Sequence, residues 1–135
     1  MNDGTGIWID RKEALISTVK GSNQSLLRID SQIEVGHVKG GSGSSTPYGT
    51  QDAVSESKYL EKKKHELKKY FDRVAKSLVD VKTLLLTGPA ETKSELMEDL
   101  KLRHEFGNTE MYMRTVDKMT ENQFKALVRD FLAVN

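Results

Sequence analysis

The arrangement of apolar segments predicts an α/β fold with a mixed five-stranded sheet, in the order β-β-β-α-β-α-β-α. Three observations carry this. The opening residues hold three β-branched or aromatic runs separated by short polar turns, as a strand meander requires. Val81-Lys82-Thr83-Leu84-Leu85-Leu86 is a nearly continuous apolar run, the composition of a central strand covered on both faces. Segments of helical period stand on either side of that run. The later strands therefore alternate with helices and should run parallel through right-handed crossovers. The chain's 135 residues amount to one domain, spanning 1–135, and it carries no internal repeat.

The first strand is Gly6-Ile7-Trp8-Ile9-Asp10, and Asp10-Arg11-Lys12-Glu13 turns it into a second at Ala14–Val19. Gly21-Ser22-Asn23 closes that run. A third runs from Ser25 to Asp30 and continues to Ile33-Glu34-Val35, its late part alternating with period two. Residues 38–52 are dominated by Gly, Ser and Thr, with little to bury, and read as a long flexible loop. A helix follows from about Ser55 to Leu78, placing Leu60, Leu67, Phe71, Val74 and Leu78 on one face. Its first half offers a core only Leu60, so that end is expected to project beyond the sheet. After the central strand, Gly88-Pro89 turns the chain, with Pro89 suited to the first position of a helix carrying Leu96, Leu100 and Leu102. Glu110–Val116 is the fifth strand. Thr120-Glu121-Asn122-Gln123 has capping-box spacing, and Met119 with Phe124 fits a hydrophobic staple. The last helix then buries Phe124, Leu127, Val128 and Phe131.

Composition excludes several classes. With 21 Lys+Arg against 20 Asp+Glu, the net charge of +1 is not that of a uniformly basic nucleic-acid binder, and no DNA partner is expected. The absence of cysteine removes disulfides, thiolate zinc sites and cysteine nucleophiles together. The first residues have no basic and apolar signal-peptide pattern, and no apolar run approaches the roughly 18 residues of a membrane helix. A soluble cytoplasmic domain with no membrane partner is the expectation.

Charge is segregated locally. Between Lys58 and Lys76 eight bases face three acids, leaving the stretch about five charges positive. Clustered lysines neutralise phosphates, so RNA is the natural partner for this helix and the adjoining loop. Lys39, Lys58, Lys62, Lys63, Lys64, Lys68 and Lys69 are the candidate contacts, with Gly40, Gly41, Ser42 and Gly43 at the loop. A merely solvated helix face accounts for the same pattern, and so does a surface that meets an acidic protein or the chain's own acidic second helix in a homo-oligomer. That second helix carries Glu91, Glu95, Glu98 and Asp99. The glycine-rich loop lacks the Gly-Lys-Ser/Thr ending of a P-loop, and Gly41-Ser42-Gly43 lacks the third glycine of a dinucleotide site. Asp10, at a strand end in a ribonuclease-H-like order, is the one carboxylate that points to a metal nuclease. Glu34, Asp80 and Asp117 lie at element ends, where turn and cap roles suffice. His37, His65 and His104 have no metal-ligand spacing. Trp8 reads as a core residue, and Met97, Met111, Met113 and Met119 as core filling. No cofactor and no metal is called for.

Taken in order, these segments resemble the middle domain of the archaeal and eukaryotic class-1 release factor and of its relative Pelota, with bacterial stand-alone relatives looking closest. The resemblance rests on the Gly6–Asp10 strand with its Arg11-Lys12-Glu13-Ala14 turn, and on the loop glycines at Val38-Lys39-Gly40-Gly41-Ser42. The basic helix with Tyr59-Leu60-Glu61-Lys62-Lys63 and the segment Leu86-Thr87-Gly88-Pro89-Ala90-Glu91-Thr92-Lys93 complete it. It implies a mixed five-stranded sheet of ribonuclease-H-like topology. Active release factors carry Gly-Gly-Gln in the equivalent loop: the glycines let the backbone enter the peptidyl-transferase centre, and the glutamine helps place the hydrolytic water. Gly40 and Gly41 match the glycines, but Ser42 stands third and offers no amide there, while Gln51 lies further along the loop. Pelota-type domains also lack the tripeptide and serve in ribosome rescue. The decoding and factor-binding domains that flank this one in full-length relatives are not expected here. The reading is a non-catalytic, translation-associated module that binds ribosome or RNA. A hydrolase of peptidyl-tRNA or aminoacyl esters, a metal-dependent nuclease and a protein-interaction domain are the alternatives.

Overall fold

The computed structural model describes residues 3–33 and 49–134, the side chains of 49–55 excepted. The described strands are β1 (Gly4–Ile9), β2 (Glu13–Lys20), β3 (Asn23–Asp30), β4 (Thr83–Gly88) and β5 (Glu110–Thr115). The helices are α1 (Gly49–Lys76), α2 (Thr92–Lys101) and α3 (Glu121–Val134), with one 3-10 turn at His104–Phe106. The strands form one mixed sheet in the order β3-β2-β1-β4-β5. The meander is antiparallel, while β4 lies parallel to β1 and β5 parallel to β4. The first strand of the chain is thus the middle of the sheet.

Side-chain alternation along the strands divides two cores. Ile7, Ile9, Ile16, Leu84 and Leu86 point to one face and pack under α1 and α2 with Tyr70, Phe71, Val74, Leu96 and Leu100. Trp8, Leu15, Val19 and Leu85 point to the other face, where α3 covers them with Phe124, Val128, Phe131 and Leu132. The result is three layers, helix on sheet on helix. The unbroken apolar run of β4 has its explanation here, since Leu84, Leu85 and Leu86 are all fully buried with helices on both sides. Two glycines set the spacing. A Cβ on Gly6 would stand 2.4 Å from Cγ2 of Val128, so its absence lets α3 seat against β1. A Cβ on Gly88 would stand 2.3 Å from the carbonyl oxygen of Ile9, where β4 passes β1.

Several boundaries differ from the sequence expectation. The strand expected to run on to Val35 stops at Asp30: Ser31 N–H adds one last bond to the Lys12 carbonyl (2.8 Å), opposite it in the β2–β3 register, and Gln32 then breaks the extended backbone with a φ of 59°. Residues 34 and 35 lie outside the described residues. Residues 49–52, assigned by composition to the loop, are the first turn of α1. A first turn tolerates Gly and Thr because its N–H groups have no intrahelical partners in any case. Residues 38–48 of the expected loop lie outside the described residues. Pro89 is not the first residue of α2, because Pro89 and Ala90 form a bend and Glu91 precedes the helix as its N-cap. Leu102 follows the end of α2 and is 87% exposed rather than buried. At α3 the capping box forms in both directions. Gln123 N–H donates to Thr120 Oγ1 (3.1 Å), and Thr120 N–H donates to Gln123 Oε1 (2.9 Å). Met119 packs into the cluster that contains Phe124, as the staple requires.

Candidate nucleic-acid interface

The 28 residues of α1 measure about 42 Å at 1.5 Å per residue. A strand of six residues extends only about 20 Å. Among the described side chains of α1, those buried in the core lie in its second half. Tyr70, Phe71, Val74 and Ala75 are buried, and Leu67 packs beside them. The Tyr70 hydroxyl donates to the Asp10 carbonyl at 2.9 Å, and burial pushes its pKa well above the ordinary phenol range, so it stays a neutral donor. Arg73 donates to the carbonyls of Asp30 (2.9 Å) and Ser31 (2.8 Å), fastening the end of β3. Asp72 accepts from Arg103 (3.1 Å) and Lys76 (3.2 Å), and Arg103 also reaches Asp99 (2.9 Å), which joins α1 to α2. Those hydrogen bonds, Arg103's first, hold the Asp72 carboxyl below its usual range.

From Glu56 to Glu66 no residue of α1 is buried, and Leu60 is 59% exposed. The expected projection is thus present. At 100° per residue the lysines fall into two groups. Lys58, Lys62 and Lys69 lie opposite the line of Leu67 and Val74 and face away from the sheet; Lys68 stands to one side. Lys63 and Lys64 flank Leu60 and Leu67 on the side facing the sheet. Lys58, Lys62, Lys64, Lys68 and Lys69 are exposed and form no ion pair among the described residues. Lys63 is half-buried, its ammonium 5.4 Å from the ring centroid of Tyr59. Where the helix leaves the sheet, Leu60, Lys63, Lys64 and Leu67 line a groove with Arg11 and Ile33. Arg11 is anchored there by Glu95 (2.6 Å) and Thr92 (3.2 Å). The residue reading missed Arg11 and Ile33, since their approach to α1 depends on the turn after β1 and the end of β3.

Lys39, Gly40, Gly41, Ser42 and Gly43 lie outside the described residues, as does His37. Asp10 does not stand free for a metal. Its Oδ1 accepts the N–H groups of Lys12 (2.8 Å) and Glu13 (2.9 Å), the role of a turn residue. No group of three acid or imidazole side chains suited to a metal occurs among the described residues. His65 and His104 are exposed. Within the described part of α1 the side chains supply charge and apolar contact: ammonium groups for phosphates and, beside them, Tyr59 and Leu60.

Fold and surface together define a three-layer α/β module that presents a lysine-rich helix beyond the edge of its core. The chain belongs to the eRF1 domain 2 family, whose model matches residues 5–134. Among solved structures it is similar to the archaeal translation termination factor aRF1, with a TM-score of 0.56 and 14% identity over 95% of this chain and 34% of that one. Pelota of Archaeoglobus fulgidus aligns with a TM-score of 0.49 and 12% identity, over 95% of this chain and 31% of that one. The chain therefore spans about a third of the length of those two proteins. A search of curated proteins finds no match. The resemblance to a release-factor middle domain, and the mixed five-stranded sheet it implies, are both present. No helix among the described residues is long and apolar enough to cross a membrane.

Proposed function

We propose that this chain is a translation-associated module that binds the ribosome or its RNA through the projecting half of α1 and the Gly/Ser-rich stretch before it, without hydrolysing an ester. One observation carries this: Lys58, Lys62, Lys63 and Lys64 cluster on the stretch of α1 from Glu56 to Glu66, where no residue is buried, and Lys68 and Lys69 continue the row. A helix serving only the fold would not extend a charged half beyond its packing partners. Family membership makes the ribosome the first partner to test. Lys39, with Gly40, Gly41, Ser42 and Gly43, supplies the second contact, and Ser42 at the third position removes the amide that hydrolysis requires.

The test is co-sedimentation with ribosomes from the host across a salt series. Binding should weaken steeply from about 50 to 200 mM salt, because each neutralised phosphate releases counterions. The Lys62/Lys63/Lys64→Glu variant reverses three charges and should abolish the association. Equal pelleting of variant and wild type would refute the proposal, as would no association at the lowest salt.

A further inference from the structure

Beyond ribosome binding, the free edge of the sheet has a pattern that specifies a partner. No strand lies beyond β5 among the described residues. The sequence reading placed Met113 in the core, yet it is 44% exposed, and Tyr112 is 38% exposed beside it. Glu110 N–H donates to the Lys82 carbonyl (2.8 Å) and Val116 N–H to the Gly88 carbonyl (3.0 Å). Even-numbered residues therefore turn their backbone groups toward β4, and Met111, Met113 and Thr115 turn theirs outward. This edge has no proline and no lysine, two devices that commonly protect such a row from pairing.

The strand reads Glu110-Met111-Tyr112-Met113-Arg114, which is complementary to itself when reversed. In an antiparallel pair centred on Tyr112, Glu110 of each copy stands opposite Arg114 of the other, and Met111 stands opposite Met113. Directly opposed residues share a face. Here the charged pairs and the two tyrosines fall on the α3 side, where Tyr112 already meets Phe131 edge-on at 5.3 Å and Arg114 lies 5.3 Å from the same ring. The backbone agrees with this register. Met111 and Met113, whose N–H and C=O groups point outward, become the hydrogen-bonded pair, and Tyr112 meets Tyr112 at a non-hydrogen-bonded position. Such a contact closes on itself under two-fold symmetry and does not propagate.

We propose that β5 pairs antiparallel with β5 of a second copy about a two-fold axis through Tyr112, joining the two sheets into one. A single strand pair is a small interface, so the dimer should be concentration-dependent. Sedimentation velocity on the full chain from about 5 μM to 1 mM, spanning the weak range expected of such an area, should show monomer and dimer in exchange. Glu110→Arg places arginines opposite each other and Arg114→Glu places glutamates opposite each other. Each should weaken self-association about tenfold or more. The double variant Glu110→Arg/Arg114→Glu should restore the dimer, and an equimolar mixture of the two single variants should form a heterodimer. Met113→Pro removes an outward N–H without touching the ladder to β4 and should leave a monomer with native Trp8 fluorescence. A wild-type chain monomeric throughout that range overturns the proposal. So does a dimer that survives both single charge variants, or a double variant that stays monomeric while retaining native fluorescence.

Discussion

Gly6 shows how far one missing methyl reaches. Its hydrogen faces Val128, and the contact decides how closely α3 lies on β1. Gly6→Ala should destabilise the fold by about 1–3 kcal/mol, the usual cost of overfilling a packed core. Val128→Ala removes the methyls that the new Cβ would strike, so the double variant should cost less than the two single changes added together. Urea unfolding followed by the fluorescence of Trp8 measures this, since Trp8 is the only tryptophan and is 1% exposed. Strictly additive costs would mean that α3 moves aside freely. Nothing in the sequence marked Gly6 for this role, because its reason is a residue more than a hundred positions away. Trp8 was legible as a core residue, but its indole N–H bonds to the Val116 and Asp117 carbonyls (3.1 and 3.3 Å) were not.

At the scale of elements, α1 combines two helices' worth of behaviour in one. Its second half is fastened by Tyr70, Arg73 and the Asp72–Arg103 pair, whereas its exposed lysine-bearing half has propensity and local contacts to hold it. Hydrogen exchange should therefore be fast for amides from Glu56 to Lys64 and approach the global unfolding rate for Tyr70 to Ala75. Uniform protection along the helix would contradict this. The projection was legible because Leu60 stands alone in its half of the apolar stripe. The capping box of α3 was legible too, since its two hydrogen bonds depend on residues three apart. Local chemistry reads well from sequence; where an element stops against another does not. Leu102 continues the apolar spacing of α2 but lies past the helix end, and β3 ends just before Gln32 takes a positive φ. The lysine cluster could be found by counting charge, while the groove beneath it required the position of Arg11 and Ile33.

For the whole molecule, one polar cluster joins the outer strands to the last helix. Glu13 on β2 accepts from Arg28 on β3 and from Lys118 (3.1 Å), and Arg28 also reaches Glu121 on α3 (2.5 Å). Partial burial opposes ionisation of Glu13, but the hydrogen bonds from Lys118 and Arg28 outweigh it, and the carboxyl sits below its usual range. A depressed carboxylate contributes stability above its unfolded pKa of about 4.3, and loses that contribution as pH falls through the folded value. Glu13→Gln should lower stability by about 1 kcal/mol at pH 7. It should also flatten the decline below about pH 4.3, so that the two proteins converge in acid. Parallel stability curves for variant and wild type would show that this carboxylate is not linked to folding.

The position of β1 has a consequence for the order in which a growing chain can fold. Ile7 pairs with Ile16 on one side, close in sequence, and with Leu86 on the other, about eighty residues later. The meander can close its turns as soon as it is made. Its two faces nevertheless stay bare: one waits for the Tyr70 turn of α1, and the other, with Trp8 and Leu15, for α3 at the far end. The first strand of this domain to leave a translating ribosome is thus among the last of it to be shielded. A chaperone that holds apolar strands would find its target in residues 4–20 until α1 and α3 have been made.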